Sequence, residues 1–174
     1  MDYKTISSQE VFNGRVMRVT VDEILLPNGK MSVRETVHNR DAAVVLPIDD
    51  DGGIFLVRQY RHSVRRLVLE VPAGVFDGNE TPEQCALREL EEEIGLKANV
   101  LTKVCAYHGS IGICSGMMHL FIAEDFTQGM QNLDPDEFLT IEKYTVDECE
   151  KMIQNGDIVD GKTILAIFAY KALK

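Results

Sequence analysis

The sequence predicts an α/β (α+β) fold: one sheet-based domain over residues 41–174, preceded by an antiparallel β appendage over residues 1–40. Three observations predict it. Runs of β-branched and apolar residues separated by turn signals fill the first third of the chain. One strongly capped helical pattern follows at 81–95, and strand-like runs then return before two closing helices. Strands interrupted by single helices are the pattern of a sheet with helices packed on its faces. At 174 residues and 45% hydrophobic, the chain suits a single domain with a sizeable core.

Taken in order, residues 16–21 and 23–26 alternate as strands do, Pro27-Asn28-Gly29-Lys30 is a turn, and residues 31–38 alternate again, so 16–38 reads as a hairpin. A second pair follows at 42–48 and 54–60 around the turn Asp49-Asp50-Asp51-Gly52-Gly53, and a short run at 67–71 stops at Pro72 and Gly74. In the helix, Thr81 is the N-cap, Pro82 sits where a first-turn proline is tolerated, and Gln84 completes a capping box. Gly95 ends it, and Leu87, Leu90 and Ile94 form its expected apolar stripe. Strands are expected again at 101–107, 117–123 and 138–144, with helices at 146–155 and 162–172.

Composition excludes several roles. With 28 acidic and 18 basic residues the net charge is −10, which disfavours a nucleic-acid surface and suits divalent cations. No apolar run is long enough to span a bilayer, and the first residues do not read as a secretory signal. Cys85, Cys105, Cys114 and Cys149 show no zinc-ligand spacing and are expected to be reduced, partly buried hydrophobes in a cytoplasmic protein.

The chemistry concentrates in residues 74–96. At about 100° per residue, Glu89, Glu92 and Glu93 share an arc beside the apolar stripe. Carboxylates so placed repel, more strongly where burial removes water. Mg²⁺ relieves that repulsion, because it takes oxygen ligands and is held by a few carboxylates plus substrate phosphates. Arg88, one turn before Glu92, is placed to orient the cluster.

This stretch resembles the Nudix box, G-x5-E-x7-R-E-U-x-E-E-x-G-U with U apolar, at every defined position: Gly74, Glu80, Arg88, Glu89, Leu90, Glu92, Glu93, Gly95 and Leu96. The resemblance implies an α/β/α sandwich with a mixed sheet, in which a strand–loop–helix holds Mg²⁺ (Mn²⁺ as a substitute) against a diphosphate. It implies that Glu89, Glu92 and Glu93 are metal ligands or the base that activates water. Glu93 and the carbonyl of Ala73 would be the direct ligands, with Gly74, Glu80, Arg88 and Gly95 in supporting roles.

Flanking segments resemble the ADP-ribose pyrophosphatase branch of that superfamily: Arg58-Gln59-Tyr60-Arg61, Glu70-Val71-Pro72-Ala73-Gly74, the N-terminal β segment and Asp160-Gly161-Lys162-Thr163. The resemblance implies hydrolysis of ADP-ribose to AMP and ribose 5-phosphate, and a homodimer built through the N-terminal strands. Arg61 and Glu70 become candidate substrate contacts, Arg61 as a planar fork of donors for phosphate or ribose. In the loop Asp134-Pro135-Asp136-Glu137, Glu137 is the expected catalytic assistant, with Asp136 next. One loop departs from the branch: Ser110-Ile111-Gly112 stands for Ser-Pro-Gly, and Gly116 falls where a Glu is expected. That opens the alternative of a nucleotide sugar such as GDP-mannose.

Two rivals are weaker. Gly156 to Thr163 matches the P-loop pattern G-x4-G-K-[ST] literally, but the segment before it reads as a helix, where a P-loop needs a buried strand. A non-catalytic nucleotide-binding module would be expected to lack a box glutamate, and none is lost. His62 follows the Arg-rich strand end, within reach of phosphate; ordinary structural roles are expected for it and for His38, His108 and His119.

Overall fold

A computed structural model describes all 174 residues, which divide into two units. The first comprises Met1–Asp41 with Tyr107–Met117. Its sheet is an antiparallel meander of β1 (Lys4–Asn13), β2 (Met17–Leu25) and β3 (Met31–Asn39). The β2–β3 turn closes as the sequence implies: Gly29 takes φ +80°, and Leu26 N–H donates to Lys30 O at 2.8 Å. β1 has no counterpart among the expected strands. Every one of its residues is exposed and its register shifts around Ile6 and Val11, so no period of two marks it in sequence. It exists because β2 offers it a ladder. One face of the meander carries the polar group Thr20, Asp22, Thr36 and His38, with Thr20 Oγ1 and His38 Nε2 3.0 Å apart. The other presents Val19, Val21 and Val37, which with Val11 and Ile113 line an apolar groove of about 230 Å³.

The second unit, Ala42–Ala106 with Met118–Lys174, is built on two sheets. In the mixed one, β4 (Ala42–Pro47) pairs antiparallel with β7 (Ala73–Val75) and parallel with β9 (Met118–Gln128), and β8 (Leu96–Tyr107) closes the edge beyond β9. In the other, β5 (Ile54–Arg61) lies between β6 (Arg66–Glu70) and β10 (Leu139–Tyr144). The helix α1 (Pro82–Ile94) covers Ala43, Val45, Phe121 and Ala123, and α3 (Gly161–Leu173) packs on β4 and on α2 (Val146–Asn155). No helix is long and apolar enough to cross a membrane.

Local chemistry fixes the ends of α1. Thr81 Oγ1 accepts from Gln84 N–H at 3.2 Å, Gln84 Oε1 accepts from Thr81 N–H at 2.8 Å, and Gly95 (φ +69°) turns the chain out of the helix. The stripe differs from the one expected. Leu87 is 39% exposed, while Cys85, Ala86, Leu90, Glu93 and Ile94 are buried. The buried arc is rotated away from Leu87 by the close approach of α1 to β4 and β7, which puts the small residues 85 and 86 inward. Glu93, expected at its margin, lies near its centre.

Leu90 is wholly buried in this cluster. Leu90→Ala is expected to cost about 3 kcal/mol through lost contact and a residual cavity, read as a lowered urea midpoint.

Candidate active site

The site starts at Gly74. It faces Ala43 across β7 and β4, and a Cβ added there would stand 1.8 Å from Glu89 Oε1. Absence of a side chain on the strand is therefore what lets the Glu89 carboxylate lie against the sheet. Here glycine is needed for space rather than for a left-handed φ.

Arg88 then collects three carboxylates. Its Nη1 donates to Glu89 Oε1 at 2.7 Å and to Glu92 Oε2 at 2.8 Å. Its Nε and Nη2 grip Glu80 at 3.1 and 2.7 Å, and Nη2 also reaches Val75 O at 3.1 Å. Glu80 in turn accepts from Asp77 N–H at 2.7 Å, so the loop between β7 and α1 is tied to the helix by one guanidinium. The Arg88 bond brings the Glu80 carboxyl down to about 2.

Glu93 receives no such help. It is 4% exposed, and its Oε2 is buried without a hydrogen-bond partner. Burial, then the charges of Glu89 and Glu137, push its carboxyl up to about 8 against the pull of Arg61 and Lys162. Glu89 is also raised, by burial first, with Arg88 offsetting part of it. No three acidic, His or Cys side chains form a finished metal cage. A buried orphan carboxylate oxygen beside a second raised carboxyl is an all-oxygen donor set, which fits a hard divalent cation.

The loop bearing Glu137 reaches the site because the segment that follows β9 holds the end of α1. Gly129 N–H donates to Gly95 O at 2.9 Å, Gln131 Nε2 to Glu93 O at 2.7 Å, and Asn132 N–H to Glu92 O at 3.0 Å. These bonds satisfy carbonyls that a helix end leaves open. Glu137 N–H then closes the turn onto Asp134 O at 2.9 Å, and its charge is felt at both Glu89 and Glu93.

Arg61 and Glu70 meet each other. Glu70, at the end of β6, accepts from Arg61 Nε at 2.7 Å and Nη2 at 2.8 Å and also from Lys162 Nζ. Burial alone would raise the Glu70 carboxyl, yet the two cations hold it below its usual range. Lys162 and Asp160 were not among the expected site residues, although the literal G-x4-G-K-[ST] match lay over them. The chain before that match is α2, so it is no P-loop; Asp160 caps α3, and Thr163 Oγ1 accepts from Val71 N–H at 2.9 Å.

The departing loop is explained by packing inside the first unit. Ser115 N–H donates to Val37 O and Val37 N–H to Ile113 O, stitching the loop to β3. A Cβ on Gly116 would stand 2.5 Å from Asn39 Nδ2 and 2.9 Å from Arg40 O, which leaves no room there for a glutamate. Of the histidines, His108 Nδ1 lies 3.1 Å from Gly116 O, His119 lies against Phe76 with the rings tilted by 33°, and His62 stands edge-on to Tyr60.

Comparison with known proteins agrees with this geometry. The Nudix domain model matches residues 38–165, and that of the nucleoside diphosphate sugar hydrolase N-terminal domain matches residues 3–37. The chain is 38% identical to an ADP-ribose pyrophosphatase of Bacillus subtilis (strain 168), over 96% of this chain and 91% of that protein. It is 36% identical to a methanol dehydrogenase activator of Bacillus methanolicus, over 94% and 90%. In fold it matches a crystal structure of an ADP compounds hydrolase with a TM-score of 0.91 at 24% identity, covering 99% and 94% of the two chains. A domain match over most of the chain, joined to a relative this similar over nearly its whole length, establishes that the protein belongs to the Nudix family of hydrolases.

Proposed function

We propose that the protein hydrolyses the pyrophosphate bond of nucleoside diphosphate derivatives, with ADP-ribose the foremost substrate and AMP and ribose 5-phosphate the products. The observation that carries this reading is Glu93, a buried carboxylate with an unpartnered oxygen near the middle of the buried arc of α1, beside Glu89 and Glu92. The 38%-identical ADP-ribose pyrophosphatase supports the choice of substrate. Glu89, Glu92, Glu93 and the Ala73 carbonyl would hold Mg²⁺, or Mn²⁺ in its place, which when bound neutralises phosphate oxygens and lowers the pKa of a bound water. Arg61 binds phosphate. Glu137 takes the proton of the attacking water, a role supported by its electrostatic coupling to Glu89 and Glu93 and stronger here than for Asp136. Arg88 and Glu80 fix the carboxylates from behind. The closed position at Gly116 favours a second reading, a nucleotide sugar such as GDP-mannose, because an acidic side chain is lost from that loop.

We further propose that residues 1–40 are a dimerisation element and 41–174 the catalytic domain. The apolar groove at Val11, Val37 and Ile113 and the wholly exposed β1 support this. A cytoplasmic setting fits four unpaired cysteines.

Product chromatography with ADP-ribose, GDP-mannose, UDP-glucose, dinucleotides and nucleoside triphosphates tests the function. AMP from ADP-ribose is expected in Mg²⁺ and not in EDTA, and Glu93→Gln is expected to lose about 100-fold or more in kcat with its fold intact. Turnover near that of the unmodified protein in Glu93→Gln would remove Glu93 from the mechanism. Sedimentation is expected to give twice the chain mass.

The raised Glu93 carboxyl also sets a pH dependence. Between the ordinary glutamate range and about pH 8 the folded state holds a proton that the unfolded state has released. The Glu93 contribution to stability therefore falls as pH rises through that window. Cation binding displaces the proton, so stabilisation by Mg²⁺ is expected to grow over the same range. Melting temperatures in EDTA and in Mg²⁺ from pH 5.5 to 8.5 check both trends, and Glu93→Gln is expected to flatten them.

A further inference from the structure

A cleft of about 340 Å³ opens between the β5–β6 hairpin and the start of α3, lined in part by Arg61, Glu70, Asp160 and Lys162. Two cations meet one carboxylate here. Glu70, 3% exposed at its side chain, takes the Nε–Nη2 edge of Arg61 and the ammonium of Lys162, which is itself only 10% exposed. Lys162 also donates to Asp160 Oδ2 at 3.0 Å. The charge of Asp160 is directed elsewhere as well, since it accepts from Thr163 N–H at 3.0 Å and Thr163 Oγ1 at 2.6 Å as the cap of α3.

A guanidinium has five N–H donors arranged along two usable edges. Glu70 occupies the side edge of Arg61, which leaves the end-on fork at Nη1 and Nη2. The Arg61 side chain is 42% exposed and lines the cleft, and Arg61 lies near enough to Glu93 to influence its carboxyl. With Arg61 as its sole partner, Glu70 would form a neutral pair and cancel most of the guanidinium's attraction for an anion. A second cation on the same carboxylate prevents this.

We propose that Lys162 is a positioning residue for substrate binding. By sharing Glu70 it keeps Arg61 oriented with its free fork toward the cleft, and keeps that charge available to a phosphate of the bound nucleoside diphosphate. This rests on the reading of Arg61 as a phosphate contact. In this role Lys162 acts through its bonds to Glu70 and Asp160.

The test is a comparison of KM and kcat for ADP-ribose in Lys162→Met, Lys162→Arg, Glu70→Gln and the Lys162→Met/Glu70→Gln pair. Lys162→Met is expected to raise KM about tenfold while kcat changes less than about threefold, the split that marks lost uniform binding. Lys162→Arg is expected to restore most of the affinity. Because the effect passes through Glu70, adding Lys162→Met to Glu70→Gln is expected to change KM little further. A lysine that merely fastens α3 to β6 would lower the melting temperature and leave KM alone. An unchanged KM in Lys162→Met, a loss carried by kcat, or full additivity with Glu70→Gln overturns the proposal. If Lys162→Met does not fold, Lys162→Gln gives the same readout.

Failure of the substrate reading is separable. If the unmodified protein turns over another member of the panel, the ADP-ribose assignment falls and the KM comparison is made on that substrate. If it turns over none, calorimetric titration with ADP-ribose decides: a Kd about tenfold weaker in Lys162→Met is expected, and equal affinities overturn it.

Discussion

The arrangement depends on how negative charge is shared along α1. Glu80, Glu89 and Glu92 are brought close by the loop and the helix period, and Arg88 answers their mutual repulsion through bonds of 2.7 to 3.1 Å to all three. Because Arg88 also donates to Val75 O, the same guanidinium fixes the distance between strand β7 and helix α1. Glu93 has no bond to it, so one carboxylate in the buried arc is offset only by the charges of Arg61 and Lys162, and burial outweighs them. That imbalance is the property a cation site needs. A fully neutralised cluster would have nothing to offer a metal, and an unanchored one would splay into solvent.

The surrounding fold delivers supporting groups from distant parts of the chain. The end of α1 is bonded to residues 129–132, which delivers Glu137, while Glu70 is met from the other side by Arg61 and by Lys162 of α3. These additions act on charge more than on packing. Each sits near the carboxyl of Glu93 and shifts it, Glu137 upward and Arg61 and Lys162 downward.

Much of this was legible in the residues. Helix α1 and its caps follow from Thr81, Pro82, Gln84 and Gly95, because capping is local chemistry with a fixed spacing. The box glutamates were placed on one face by the helical period alone. Three things escaped. Strand β1 has no burial to imprint a period on its sequence. Leu87 was assigned inward by apolarity, although close approach to the sheet selects the small Cys85 and Ala86 instead. Lys162 lies 92 residues from Glu70, and pairing at that range is set by topology, which spacing does not reveal. The literal P-loop pattern at Gly156 to Thr163 is set aside in the sequence by the helix before it, and in the fold its lysine serves an ion network and its threonine a buried backbone bond.

Gly74 carries a consequence for redesign. The space its missing side chain vacates is filled by a charged group of the helix above, so strand and helix are coupled at that point as lock and bolt. On the proposed reading, substrate range is explored through the cleft beside Arg61, whose side chain is partly exposed. The floor at Gly74 allows no such exploration. Any single enlargement there moves Glu89 before it touches a ligand, so a library that randomises it samples broken carboxylate geometry rather than new specificities.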